Sequence, residues 1–311
     1  MSTVSTDTYD QVGIREDLTN LISMISPTNT PFLSNAPTGK AKSTLHEWQT
    51  DSLAAVADNK AVEGADATFA AAAATARLNN QTQIATKTVI TSGTLEATDR
   101  AGRAKEMAYQ VNKRSKEMKR DMENALVGIS NAKAAGSTSV ARELASYQSW
   151  AATNRDAAGA APTGDGTDIP TDATQRAFTE SMLENVIDDI FTAGGDPDII
   201  MAGTFNKRAI SGFSGNATTT FHENADKTVI NAVDVYVSDF GTMAVVPNRF
   251  LRARDVLVYQ KDMWEVTTLR PFQLKDIAKT GDAEKKQLLV EYTLTAKNEA
   301  SSGIVADLTT A

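Results

Sequence analysis

The sequence predicts an α+β fold in which a compact α/β unit carries long extended appendages. Three observations lead there. A single uninterrupted helical stripe runs from Thr98 to Ala134. Before it, two strand-like stretches flank an Ala-rich middle that is poor in large apolar side chains. After it, from Thr174 onward, helix-period and strand-period segments alternate, which is the pattern of a packed α/β layer.

The first part of the chain is an arm. Ile14, Leu18, Leu21, Ile22 and Ile25 have helical spacing, and then Pro27, Pro31 and Pro37 fall within SPTNTPFLSNAPTGKAK. Proline fixes φ and biases the residue before it to extended geometry. The segment is therefore expected to lie across another surface, with Phe32 and Leu33 as anchors.

From Thr44 to Thr94 the chain reads as a two-stranded protrusion. LHEWQTD alternates around Leu45 and Trp48, and RLNNQTQIATKTVITSG is rich in β-branched residues at Ile84, Thr86, Thr88 and Ile90. The stretch between them has too few large apolar groups for a core of its own and needs a neighbouring surface to be ordered.

Ala104, Ala108, Val111, Ser115, Met118, Met122, Ala125 and Ile129 step by alternating fours and threes, which places them on one helix face. At 1.5 Å per residue such a helix would be roughly 50 Å long, ending near Gly136. Its small-residue stripe suits packing on a sheet or a neighbouring subunit better than a coiled coil. Its basic residues, Arg103, Lys105, Lys113, Arg114, Lys116, Lys119 and Arg120, are interleaved with Glu106, Glu117 and Asp121, so a solvated or subunit-facing surface is expected before nucleic-acid contact.

Gly136 to Asp172 is rich in Ala, Gly, Thr and Ser and reads as a surface excursion with a short helix within Val140 to Trp150. Beyond it, Phe178, Met182, Val186 and Ile190 predict a helix ended by Gly194-Gly195. PDIIMAG predicts a buried strand and TFNKRAISGF a second helix. Further strands are expected around Val229 to Val237, Met243 to Val246, Val256 to Tyr259, Trp264 to Leu269, Gln287 to Lys297 and Gly303 to Leu308, with a charged loop over Lys275 to Lys286.

Composition narrows the function. The 311 residues contain no cysteine, which excludes thiol catalysis, disulfides and Cys-ligated metals. The net charge of −8 argues against a broad nucleic-acid-coating surface. MSTVSTDTYD has neither the basic nor the apolar region of an export signal, and no apolar run approaches a membrane span.

Chemistry-bearing residues are scarce. His46 and His222 stand alone, with no second ligand at metal spacing. Glu184, Asp188 and Asp189 form the best carboxylate cluster, with Asp196 and Asp198 as the only nearby partners, and the polar face of an amphipathic helix accounts for it. Asp239-Phe240-Gly241 spells a kinase magnesium motif, but without the glycine-rich loop and catalytic loop it reads as a strand-to-strand turn. No catalytic, cofactor-binding or metal-ligating residue is assigned, and no enzymatic activity is expected.

Arm, two-stranded loop, spine helix, α/β unit and final long strand follow one another in the order of the HK97-like fold of tailed-phage major capsid proteins. TYDQVGIREDLTNLISMISPTNTPFLS, GGDPDIIMAGTFNKRAISGF and the run from VDVYVSDFGTMAVVPNRFL to SSGIVADL resemble the SU10-type family of phage major head proteins. The resemblance covers most of the chain and is weakest over 136–172.

It implies an N-arm at 1–43, an E-loop at 44–94 overlying an adjacent subunit, and a peripheral domain. The peripheral domain comprises the spine helix with the excursion (95–173) and return strands within 262–311. An axial domain at 174–261 would meet its copies around pentamer and hexamer axes. It further implies self-assembly into an icosahedral head enclosing double-stranded DNA without sequence-specific binding. A portal and a decoration protein are implied as partners, and the location is the virion, after synthesis and assembly in the host bacterial cytoplasm. Some relatives carry a cleaved N-terminal scaffolding segment. Here the arm motif begins by Tyr9, so a separate scaffold protein is expected. One branch of the fold crosslinks a loop lysine to a neighbour's asparagine; Lys60 and Lys87 lie in the loop, with no motif assigning that role. An encapsulin-like compartment shell of the same fold is the alternative.

Overall fold

The structure is a computed structural model that describes residues 28–98 (apart from 65, 68, 70, 72 and 73), 105–213 and 235–310. The predicted helix within 12–25, His222 and the strand positions Val229 and Val233 lie outside the described residues.

In chain order, helix α1 (Pro31–Asn35) leads to strands β1 (Thr38–Lys40), β2 (Leu45–Thr50), β3 (Ala76–Gln81) and β4 (Gln83–Ser92). Helices α2 (Gly93–Ala97) and α3 (Glu106–Glu123) follow, then a π-helical turn at Asn124–Gly128, helix α4 (Tyr147–Trp150) and strand β5 (Asn154–Asp156). The second half contains α5 (Glu180–Thr192), β6 (Ile199–Ala202), α6 (Thr204–Ser211), β7 (Val235–Ser238) and β8 (Gly241–Pro247). It ends with β9 (Val256–Tyr259), β10 (Trp264–Ile277), β11 (Ala283–Ala296) and β12 (Ser302–Val305).

Three sheets form: a four-stranded sheet in the order β1-β10-β11-β4, a six-stranded sheet β5-β12-β9-β6-β8-β7, and the hairpin β2-β3. The six-stranded sheet separates two cores, and strand periodicity decides which residue feeds which. Ile199, Met201, Leu257, Tyr259 and Ile304 face the larger core. Their neighbours Ile200, Ala202, Val256, Val258 and Val305 face the smaller one under α5 and α6. Two-sided burial explains why these strands read as continuous apolar runs. Gly303 on β12 allows the close approach, because a Cβ there would lie 2.6 Å from Val186 Cγ1 on α5 and from the Asn154 carbonyl on β5. Gly194, at φ +90°, ends α5.

Four expectations are corrected. The spine helix ends at Gly128, not Ala134. A Cβ at Gly128 would lie 2.3 Å from the Phe250 carbonyl, so the chain turns away against that segment. The stripe holds at Met118, Met122 and Ala125, which are buried, but not at its ends: Met107, Leu126 and Val127 are buried, whereas Ile129 is exposed and so is Ala108. The larger side chains take the core because they bury more area than alanine does.

The excursion is not a surface linker. Leu144, Tyr147 and Trp150 are fully buried, and β5 forms an edge of the six-stranded sheet. Three large apolar side chains in a small-residue background were enough to bring it inside.

The charged stretch 275–286 is mostly a ribbon. β10 and β11 pair out to Ile277↔Lys285, with Asp276 opposite Lys286 at 3.2 Å; opposite charges across a pair stabilise a strand that propensity alone disfavours. Finally, the predicted second strand of the loop splits at Thr82. β3 pairs with β2, and β4 joins the four-stranded sheet beside β11.

Candidate assembly surfaces

The hairpin β2-β3 is rooted in the larger core and open at its tip. At the root, Trp48 meets Trp150 with ring centroids 5.3 Å apart. Asn80 is buried; its Nδ2 donates to the Leu294 carbonyl (2.7 Å), and its Oδ1 accepts from Ala145 N–H (2.9 Å). Between Thr50 and Ala76, which pair across the hairpin, the chain leaves the molecule. Leu53 is 99% exposed, Val56 104% and Phe69 96%. These apolar side chains have no partner among the described residues of their own chain.

The arm root is clamped in the opposite manner. Phe32 is fully buried, with its ring 5.6 Å from that of Tyr259. Glu123, also fully buried, accepts the backbone N–H groups of Phe32 and Leu33, each at 2.8 Å, and Asn248 Nδ2 at 2.7 Å. Its carboxylate thus satisfies the free N–H groups at the start of α1. Burial pushes the Glu123 carboxyl above its usual range, and the hydrogen bonds from Leu33, Phe32 and Asn248 pull it back. β1 then pairs in parallel with β10.

Two charged networks tie distant segments together. Glu291, buried on β11, holds Arg142 at 2.5 Å, Arg270 at 2.7 Å and the Thr82 hydroxyl at 2.8 Å. Asp307 accepts N–H bonds from Ala158, Gly159 and Ala173 and pairs with Arg254 at 3.0 Å. Arg252 bridges Asp172 and Asp255. Sequence reading missed Glu123, Glu291 and Asp307, because lone acids at large sequence separations form no motif.

The sequence-predicted candidates separate. His46 lies on β2 beside Trp48, and burial lowers its pKa while Glu265 acts in the opposite sense. Glu184 and Asp188 line a cleft of about 500 Å³ with Glu180, Tyr236, Asp239 and Phe240. Their neighbour across the cleft is the Asp239-Phe240-Gly241 turn joining β7 to β8, not Asp196 and Asp198. Asp198 instead accepts the Lys261 N–H at 2.9 Å. Burial and the surrounding carboxylates push the Tyr236 phenol up to about 12. Among the described residues no group of three or more His, Asp or Glu is arranged to hold a metal ion, and no helix is long and apolar enough to cross a membrane. Lys60 pairs with Asp58 on the exposed segment, and Lys87 with Asp121 of α3.

Among the described residues this geometry leaves exposed surfaces and brings no catalytic set together. The SU10 major capsid protein family matches residues 2–309.

The chain belongs to the SU10 major capsid protein family.

It is 28% identical to the major capsid protein of Escherichia phage Phieco32, over 96% of this chain and 95% of that protein. Among solved structures it resembles the cyanophage A-1(L) capsid asymmetric unit, with a TM-score of 0.70 and 14% identity over 97% of this chain and 98% of that one. It also resembles the capsid of a native GTA particle (0.65, 10% identity, 99% of both chains). A third neighbour comes from the phage G major capsid and decoration proteins (0.58, 10% identity, 99% of this chain and 100% of that one). The fold is HK97-like. As a member of the SU10 family the chain is the major capsid protein of a tailed phage, assembling in many copies into the capsid of the virion.

Proposed function

We propose that the chain builds an icosahedral head through pentamers and hexamers, around double-stranded DNA, and that its segments divide the work. Residues 1–43 act as the N-arm and 44–94 as the E-loop. The spine helix, the excursion and the return strands (95–173 and 262–300) form the peripheral domain. Residues 174–261, with β12, form the axial domain. A separate scaffold protein, a portal and a decoration protein complete the assembly, which takes place in the host bacterial cytoplasm. The chain itself carries no enzymatic step.

One observation carries this reading: the strap 51–75 holds Leu53, Val56 and Phe69 almost wholly in water while its root is packed against Trp150. A folded domain gains nothing from such a strap unless a neighbour covers it, and repetition around a shell converts modest contacts into strength. The test is replacement of 51–75 by Asn-Gly, a two-residue turn suited to the Thr50–Ala76 pair. The variant is expected to melt as the parent subunit does and to form no stable shells. Normal, stable heads from it would refute the assignment.

A further inference from the structure

Three lysines on α3 have no counter-charge among the described residues. Lys113, Lys116 and Lys119 are exposed and form no ion pair among the described residues. The acids beside them in sequence are engaged elsewhere. Glu117, four residues beyond Lys113, takes Arg114 at 2.6 Å. Asp121 takes Lys87 at 2.6 Å. Glu123, four beyond Lys119, is buried against the Phe32 and Leu33 N–H groups. Lys116 has Asn112 and Lys113 before it at helical spacing, and Lys119 and Arg120 after it. Mixed charge along the sequence therefore resolves in space into a row of one sign.

The row is polar and presents no apolar anchor. Steps of three residues set the lysine stems about 4.5 Å apart along the helix axis. None of the large exposed apolar side chains among the described residues belongs to α3. Like charges at such spacing cost a helix stability unless an anion compensates. Protein interfaces are depleted in lysine and centre on apolar or aromatic anchors. Phosphate backbones need only flexible cations in register with a charged rod. The row reverses the sign of a chain whose net charge is −8.

We propose that Lys113, Lys116 and Lys119 bind the phosphate backbone of double-stranded DNA without sequence preference, which places this side of α3 on the lumen of the shell. The inference rests on the capsid reading and adds to it a face and a ligand.

The experiment measures anisotropy of a labelled, mixed-sequence duplex of about 30 base pairs titrated with the purified full-length chain at several salt concentrations. The wild type is expected to bind weakly and to lose affinity as salt rises. K113Q/K116Q/K119Q should bind at least about tenfold more weakly at low salt, with a log–log salt slope shallower by about 2–3. K113R/K116R/K119R should retain both affinity and slope. Unchanged melting by circular dichroism checks the fold. Equal binding by the glutamine variant, or no binding by the wild type, would overturn the proposal. So would a glutamine variant that keeps duplex binding but loses shell formation, because the row would then face another copy. The titration uses unassembled subunits, because a closed shell would shield its lumen; a wild type that binds no duplex in that state yet goes on to form shells by electron microscopy sinks this inference alone.

Discussion

Asp255 is a carboxylate that the fold makes costly to ionise. It is fully buried, and burial pushes it from 3.8 up to about 6, against the pull of Arg252 and Arg155 and with Asp172 adding to the push. Because the folded state holds the proton more tightly than the unfolded chain does, the stabilisation is complete below about pH 4 and is lost as pH rises through 6. Asp165 and Asp307 are lowered, so their contributions run the other way, present above their ordinary range and lost as pH falls. The clean measurement is therefore a difference. The melting temperature of Asp255→Asn, followed from pH 4 to 7, should gain on the wild type as pH rises. Parallel curves for the two proteins would show that Asp255 ionises in the folded state as it does in water. Arg252 lies three residues before Asp255 in the loop leading to β9, but Arg155 comes from β5, far away in sequence, and no motif announces the burial.

The arm root shows how one side chain positions an element. The short helix α1 lacks a side-chain cap of its own, and Glu123 supplies the acceptors from the end of α3. Glu123→Ala would leave the buried Phe32 N–H without a partner, at about 1–3 kcal/mol, and the half-buried Leu33 N–H at less. A drop of several degrees in melting temperature is expected, with faster proteolysis near Pro31; unchanged melting and protection would remove the clamp from the account. Elements differ in how far their sequence announces them. α5 was legible from Met182, Val186 and Ile190, because a four-residue apolar spacing over a polar face has one simple solution, and Gly194 marks its end; Phe178, expected in the same helix, precedes its first residue, Glu180. The buried strands β6 and β9 were legible as short apolar runs. The excursion was not, because Leu144, Tyr147 and Trp150 are spread through small polar residues and their burial depends on partners such as Trp48 and Trp264, far away in sequence. The β10–β11 ribbon was also hidden, since its lysines and acids are satisfied by one another only once the register is set. The acidic cleft beside Tyr236 joins two features that the sequence shows separately, at Glu184 and at Asp239, with no signal that they meet.

At the scale of the whole molecule, the fold sets a rigid interior against extended parts that have no partner among the described residues of their own chain. Two cores share the six-stranded sheet, so β6, β9 and β12 are buried on both faces and cannot be the adaptable part. The adaptable parts are the strap 51–75 and the exposed faces of α3 and β7, where Val235 and Val237 point outward from an edge strand. That division suits a subunit repeated many times: the interior is the same in each copy, and the strap and edges meet different neighbours. Family membership across 2–309 and a TM-score of 0.70 to a cyanophage capsid agree with a subunit built for that purpose. The most direct test is electron microscopy of the purified full-length chain, alone and co-expressed with the scaffold protein proposed above. Closed shells with icosahedral symmetry, in which 51–75 of one subunit lies on the next, are the predicted result. A monodisperse small oligomer under every condition, with the strap still free in solution, would contradict it.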